Sequence, residues 1–135
     1  LIIGSGRMAY EYARAISSLK INDVTILGNT KQKLEKFRDF PHVKFVDGGF
    51  EKKVTEMGKK DLVIIATPIS MLIKTLRLCL ANNQDNILVE KPGSVSIAEL
   101  SSIESIIKKQ KVRIGYNRLL YPSFHKLKLL SKIHF

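Results

Sequence analysis

Short apolar runs of strand length alternate along this chain with stretches whose apolar residues recur at helical spacing. Leu1–Ile3 is an apolar stub, and Met8 to Leu19 carries Met8, Tyr12, Ala15, Ile16 and Leu19 on one helical face. Val24–Leu27 predicts a second strand, Thr30 to Phe40 a helix stopped by Pro41, and Val43–Val46 a third strand before a Gly48–Gly49 turn. Lys52 to Met57 predicts a short polar helix. Asp61–Ala66 is almost purely aliphatic and predicts a strand buried on both faces, followed by a turn at Thr67–Pro68 and a helix from Ser70 to Ala81. Ile87–Glu90 is the next strand and Lys91–Pro92–Gly93 the next turn. Ser96 and Glu99 then have the spacing of a capping box, for a helix running to Lys109. Val112–Tyr116 predicts a sixth strand, and Leu127, Leu130 and Ile133 the start of another helix. Strands that alternate with helices in this way predict a doubly wound parallel α/β sheet in three layers, α-β-α.

With 135 residues, the chain has the length of one domain and enough surface to bury a core. At 44% hydrophobic and 26% charged residues its composition is that of an ordinary globular protein, which argues against disorder. The longest apolar stretch, Leu62 to Ile73, is broken by Pro68 and too short to span a bilayer, and no basic flank marks a leader at Leu1. A single cysteine, Cys79, excludes an internal disulfide and fits a reducing cytoplasm, so the expectation is a cytoplasmic protein with no membrane partner. Twenty-three basic against twelve acidic residues give a net charge of +11, which raises the question of a polyanionic partner. The lysines (Lys31, Lys33, Lys36, Lys52, Lys53, Lys59, Lys60, Lys108, Lys109, Lys111) are spread over several predicted helices without interleaved aromatics. They therefore read as a solvated surface, and no nucleic-acid partner is expected. Leu1 lies only three residues before a glycine turn, although strands commonly run about five or six. Phe135 falls inside a helical pattern with no stop signal, so both ends read as cut.

The chemistry begins at Gly4–Ser5–Gly6–Arg7–Met8–Ala9. A G-x-G-x-x-A turn means little alone, but this one follows a strand, opens a helix and precedes a second strand about twenty residues on. Gly4 permits the tight turn, Gly6 clears the backbone for a pyrophosphate, and Ala9 stays small where the helix meets the sheet. The free N–H groups and positive dipole end of the helix then face the anion. This is the dinucleotide-binding arrangement of a Rossmann fold; the competing reading is a purely structural glycine turn.

The end of the second strand bears on which dinucleotide fits. An NAD site commonly places Asp or Glu there for the ribose hydroxyls, whereas this chain reads Gly28–Asn29–Thr30–Lys31. Asn29, Thr30 and Lys31 offer an amide, a hydroxyl and a cation to a 2′-phosphate, and Arg7 is a further candidate or else a solvated side chain. The missing carboxylate favours NADP over NAD. Asn29–Thr30 serves equally well as a helix cap, and the two roles are compatible.

Two further segments fall beyond strand ends, where open parallel sheets bind their ligands: Ala66–Thr67–Pro68 and Glu90–Lys91–Pro92. Each proline stiffens its turn and restricts the residue before it. A lysine at position 91, near the nicotinamide, can polarise a hydroxyl or carbonyl or help move a proton; the alternative is a surface ion pair with Glu90.

These segments, with Asp61–Leu62–Val63–Ile64–Ile65–Ala66–Thr67–Pro68, Val89–Glu90–Lys91–Pro92 and Gly115–Tyr116–Asn117–Arg118–Leu119–Leu120–Tyr121–Pro122, occur in a recognisable order. The chain resembles the N-terminal half of the glucose–fructose oxidoreductase/inositol dehydrogenase (Gfo/Idh/MocA) family of NAD(P)-dependent oxidoreductases. The resemblance implies that Lys91 is the active-site lysine. It also implies that Asn117 and Arg118 stand at the entrance to a substrate domain. The chain departs from the family pattern where Asn and His often follow the Ala-Thr-Pro: Ile69 and Leu72 occupy those places, and Leu119 stands where a second arginine is usual. The family's second domain, which binds substrate, carries an Asp/His pair and mediates oligomerisation, is missing. His125 and His134 read as exposed helix residues rather than its replacement.

The expectation is a 1–117 NAD(P)-binding domain and a 118–135 stub of the substrate domain. Gly4, Ser5, Gly6, Arg7, Met8, Asn29, Thr30, Lys31, Ala66, Thr67, Pro68, Glu90, Lys91, Asn117 and Arg118 are its cofactor candidates, and Lys91 its catalytic candidate; no metal site is expected. The full-length protein would transfer hydride between nicotinamide and a small-molecule substrate, a sugar, cyclitol or nucleotide-linked sugar, as a homo-oligomer through the missing domain. The fragment alone would be inactive. The alternative is a non-catalytic dinucleotide-binding or interaction module.

Overall fold

The computed structural model describes residues 1–107 and 109–131. Its centre is a six-stranded, wholly parallel sheet in the order β3-β2-β1-β4-β5-β6. The strands are β1 (Ile2–Ile3), β2 (Val24–Leu27), β3 (Val43–Val46), β4 (Val63–Ile65), β5 (Asn86–Val89) and β6 (Lys111–Ile114). The helices are α1 (Arg7–Ser18), α2 (Lys31–Leu34), α3 (Phe50–Glu56), α4 (Leu72–Ala81), α5 (Ile97–Glu104) and α6 (Pro122–Ser131). From β1 the chain winds outward to β3, returns to the centre at β4, and winds the other way to β6. The order therefore reverses between β1 and β4, and the crevice beyond their carboxyl ends is where such sheets take ligands.

Strand pleating sends alternate side chains to opposite faces, and two cores result. Ile2, Ile26 and Ile64 join Ala9 and Ala13 of α1, with Leu34 and Phe37, on one face. Ile3, Leu27, Ile65, Ile87 and Val89 join Leu72, Leu76, Cys79 and Leu80 of α4 on the other. Both faces are covered, which accounts for the unbroken aliphatic run in β4 and the expected three layers.

Several expected elements shift for local reasons. The side of α1 that packs is Ala9 and Ala13, not the Met8–Leu19 stripe: Met8 and Leu19 are exposed, and Tyr12 and Ile16 only flank the core. Small residues win there because the helix lies close on the sheet. The helix expected over 30–40 is α-helical only to Leu34 and tightens into a 3-10 turn at Glu35–Phe37, which buries Phe37. The polar helix expected from Lys52 starts earlier, at Phe50, because Phe50 and Val54 anchor it in the core. Asp61 and Leu62 stay outside β4, and a 3-10 turn at Ile69–Met71 precedes α4. The Ser96 cap forms, with its Oγ accepting from the Glu99 N–H at 3.2 Å, but the Glu99 carboxylate accepts from Ser94 Oγ instead of completing the box. The helix it starts ends at Glu104, short of Lys109. Ile133 lies outside the described residues.

Candidate functional site

Beyond the carboxyl ends of β1, β2, β4 and β5 lies an open cleft of about 810 Å³. Gly4, Ser5, Gly6, Arg7, Met8, Asn29, Ala66, Thr67, Pro68, Glu90 and Lys91 all line it, as the sequence suggested. Ile3, Leu27, Gly28, Phe50, Ile69 and Met71 complete an apolar floor, and Lys33 and Lys36 add two cations that sequence reasoning missed.

The glycines at the switch point do different jobs. Gly4 has φ +129°, and a Cβ there would meet the carbonyl oxygen of Ala66 at 2.3 Å, so the turns after β1 and β4 touch backbone to backbone. Gly6, the N-cap of α1, has an ordinary φ of −81° and nothing within 4 Å of a would-be Cβ. The fold does not need a glycine at position 6; the missing side chain leaves open space in front of the helix. No side chain caps α1 and no acidic residue lies in its first turn. Its leading N–H groups and positive dipole end are thus free for an anion. Gly28 is packed tight, a Cβ there falling 2.9 Å from Leu34 and 3.2 Å from Ser5.

Thr67 Oγ1 is shielded from solvent and has no hydrogen-bond partner among the described residues. A buried hydroxyl left unpaired costs about 1–3 kcal/mol, and Thr67 is one of the residues that line the cleft. An open cradle at Gly6, free helix N–H groups and an unpaired hydroxyl fit a dinucleotide with a phosphate-rich centre and polar ends.

On the β5 side, the turn that carries Lys91 is tied down from many directions. Glu90 N–H donates to Ile65 O at 2.9 Å and Gly93 N–H to Glu90 O at 3.0 Å, while the Lys91–Pro92 peptide is cis. Gly93, at φ +88°, lies against Ile114, and Tyr116 Oη donates to Pro92 O at 3.2 Å. The expected alternative, a Glu90–Lys91 ion pair, does not form. Glu90 is buried and accepts from Tyr12 Oη at 2.5 Å, and Lys91 has no salt-bridge partner among the described residues.

Four sequence candidates stand apart from the cleft. Thr30 and Lys31 begin α2 and do not line it; Lys33 and Lys36, up to two turns further along, do. Thr30 occupies the N-cap position but its side chain makes no capping bond. Asn117 and Arg118 sit in a 3-10 turn after the edge strand β6, two strands from the switch point, and are exposed. His125 is exposed on α6, and His134 lies outside the described residues. Among the described residues there is no group of His, Cys, Asp and Glu able to hold a metal, and no helix long and apolar enough to cross a membrane.

Residues 1–118 match the Gfo/Idh/MocA family, described as an oxidoreductase family with an NAD-binding Rossmann fold. No curated protein matches the chain. Among solved structures, scyllo-inositol dehydrogenase from Lactobacillus casei with bound NAD(H) and scyllo-inositol superposes with a TM-score of 0.82 at 21% identity, over 97% of this chain and 39% of its own. A putative NADPH-dependent oxidoreductase from Desulfitobacterium hafniense gives 0.77 at 29% identity, over 96% and 37%. The WlbA (WbpB) dehydrogenase from Thermus thermophilus in complex with NAD and UDP-GlcNAcA gives 0.75 at 18%, over 99% and 47%. The chain thus spans roughly two fifths to one half of the length of these proteins. With a cleft at the β1/β4 switch point and a family match over residues 1–118, this chain belongs to the Gfo/Idh/MocA oxidoreductase family, with that family's NAD-binding Rossmann fold.

Proposed function

We propose that this chain is the cofactor-binding part of an NAD(P)-dependent oxidoreductase. The protein to which it belongs moves hydride between a nicotinamide and a carbon bearing a hydroxyl or carbonyl on a sugar, a cyclitol or a nucleotide-linked sugar. One observation carries the reading: the free end of α1 at Gly6, the unpaired Thr67 hydroxyl and Lys91 share one cleft. The nicotinamide supplies the hydride chemistry when bound. Gly4, Ser5 and Gly6 hold the pyrophosphate on backbone, Thr67 gives its hydroxyl to a polar group of the cofactor, and Lys91 polarises the reacting oxygen or carries its proton. Residues 118–135 lead from this part toward the substrate-binding part.

NADP is the preferred cofactor in this proposal. Neither Gly28 nor Asn29 supplies a carboxylate for a ribose diol, and Arg7, Lys33 and Lys36 bring three cations to the cleft that Asn29 also lines. The name of the Desulfitobacterium relative, NADPH-dependent, agrees with this. Lys33 and Lys36 thereby replace Thr30 and Lys31 as the residues expected at a 2′-phosphate. Calorimetric titration of the chain with NADP and with NAD tests the proposal. Saturable binding that favours NADP is expected, with a loss of about tenfold in NADP affinity (about 1.4 kcal/mol) in the Lys33→Ala/Lys36→Ala variant and little change for NAD. No binding of either dinucleotide at millimolar concentration would sink it.

A further inference from the structure

Tyr12 lies one and a half turns into α1, the helix whose N-terminus opens onto the cleft, and is 78 residues from its hydrogen-bond partner Glu90. Its Oη donates to Glu90 Oε1 at 2.5 Å, and Glu90 is only 7% exposed. Gly115 shapes the niche, since a Cβ there would lie 3.1 Å from Tyr12 Oη and 3.6 Å from Glu90 Oε1. Burial first, then the Glu90 hydrogen bond and its negative charge, push the Tyr12 phenol well above its ordinary value and keep it a donor.

The surroundings give this bond a consequence for Lys91. Glu90 is the one acid among the cleft-lining residues; Arg7 on α1, Lys33 on α2, Lys36 in the 3-10 turn that follows it, and Lys91 itself are the cations. Tyr116, from the turn after β6, spends its hydroxyl on Pro92 O and leaves Glu90 to Tyr12. A Glu90 carboxylate released from Tyr12 would have the adjacent Lys91 ammonium as its nearest cation in sequence, and pairing with it is favoured in a partly desolvated place.

We infer that Tyr12 is a positioning residue: its hydroxyl engages the Glu90 carboxylate and so keeps Lys91 unpaired and directed to the cleft. The bond joins the phosphate-facing helix to the turn that carries the lysine. This rests on the place given to Lys91 in the proposed function, but its test reads the lysine itself. Trace acetylation with acetic anhydride near neutral pH, quantified residue by residue by mass spectrometry, gives the reactivity of Lys91 against exposed Lys52 on α3 as reference.

In Tyr12→Phe, the labelling of Lys91 near neutral pH is expected to fall roughly fivefold relative to Lys52, as an opposite charge moves in. Adding Glu90→Gln to that variant should restore the labelling, which loss of packing alone would not do. A folded Tyr12→Phe protein whose Lys91 labels as in the parent overturns the inference. If circular dichroism shows that Tyr12→Phe does not fold, Gly115→Ala crowds the hydroxyl and keeps the ring. It must lower Lys91 labelling in the same direction, and unchanged labelling in it also overturns the inference. Failure of the dinucleotide titration would remove the proposed function and leave the labelling result to stand or fall separately.

Discussion

At the glycine turn, Gly4, Ser5 and Gly6 build their part of the cleft from backbone alone, within three consecutive residues and against one carbonyl of β4's loop. On the β5 side, Lys91 rides on a turn fixed by Ile65, Tyr12, Ile114 and Tyr116, contributed by four other elements or loops. The first region takes its geometry from φ angles and from a glycine that lets backbone meet the distant Ala66 carbonyl, and the glycines that allow this lie within three consecutive residues. The second is assembled from a backbone hydrogen bond to β4 and several long-range side-chain contacts. A phosphate needs only N–H groups and space, whereas a reacting lysine has to be aimed, and the two constructions follow from those needs.

Substitutions at the glycines probe the first construction most sharply. Gly4→Ala combines a left-handed φ with a 2.3 Å clash against backbone, which no rotamer can relieve. A loss of about 3 kcal/mol or more in urea unfolding is expected, and a parental midpoint would break the backbone-contact account. Gly93→Ala is the counterpart in the second region. Its Cβ meets Ile114 Cδ1 at 2.6 Å, the far end of a flexible side chain, so a smaller loss of about 2 kcal/mol is expected, with φ +88° supplying much of it. Equal losses at both positions would erase the distinction between backbone and side-chain construction.

Gly6→Ala separates fold from binding. With φ −81° and open space around its Cβ, it should change stability by no more than about 1 kcal/mol, the N-cap preference for Gly over Ala being partly offset by a stiffer unfolded chain. Dinucleotide affinity should nevertheless fall about tenfold, because the methyl enters the space in front of the α1 N–H groups. A variant that unfolds, or one that binds as the parent does, contradicts the role given to Gly6.

The smallest expected effect concerns the α4 side of the core. Burial pushes the Cys79 thiol up to about 12 from an ordinary value of 9.0. Unfolded chains release this proton above 9.0 and folded ones retain it, so its contribution to stability is complete below that pH and is lost as pH rises toward 12. Denaturation at about pH 10 should show a loss of about 1 kcal/mol attributable to this group, and Cys79→Ala should flatten the slope. Parallel pH slopes for the two proteins would show that the thiol is not the titrating group.

What the sequence made legible follows the same division. Gly4–Ser5–Gly6, the aliphatic β4 and the Ser96 cap are local patterns, and the structure contains them all. Thr67 and Lys91 were identifiable because parallel sheets place the residues after each strand at one edge, and both line the cleft. The lysines after β2 are harder to read: Lys31 follows the strand more closely, yet the helix phase brings Lys33 and Lys36 to the cleft instead. The packed face of α1 differs from the one the periodicity predicts, because large apolar residues carry the periodic signal while close helix–sheet packing selects Ala9 and Ala13. The bond between Tyr12 and Glu90 spans 78 residues and leaves no periodicity to detect.

The central claim, that this cleft holds a dinucleotide with its pyrophosphate at the first turn of α1, is tested most directly by amide chemical shifts in the isotope-labelled chain titrated with NADP. The account predicts saturable shifts at the amides of Gly6, Arg7, Met8 and Thr67, with the far ends of the strands and Lys52 on α3 unaffected. Saturable shifts that avoid the Gly4–Met8 turn, or none at all in a folded protein, would contradict it.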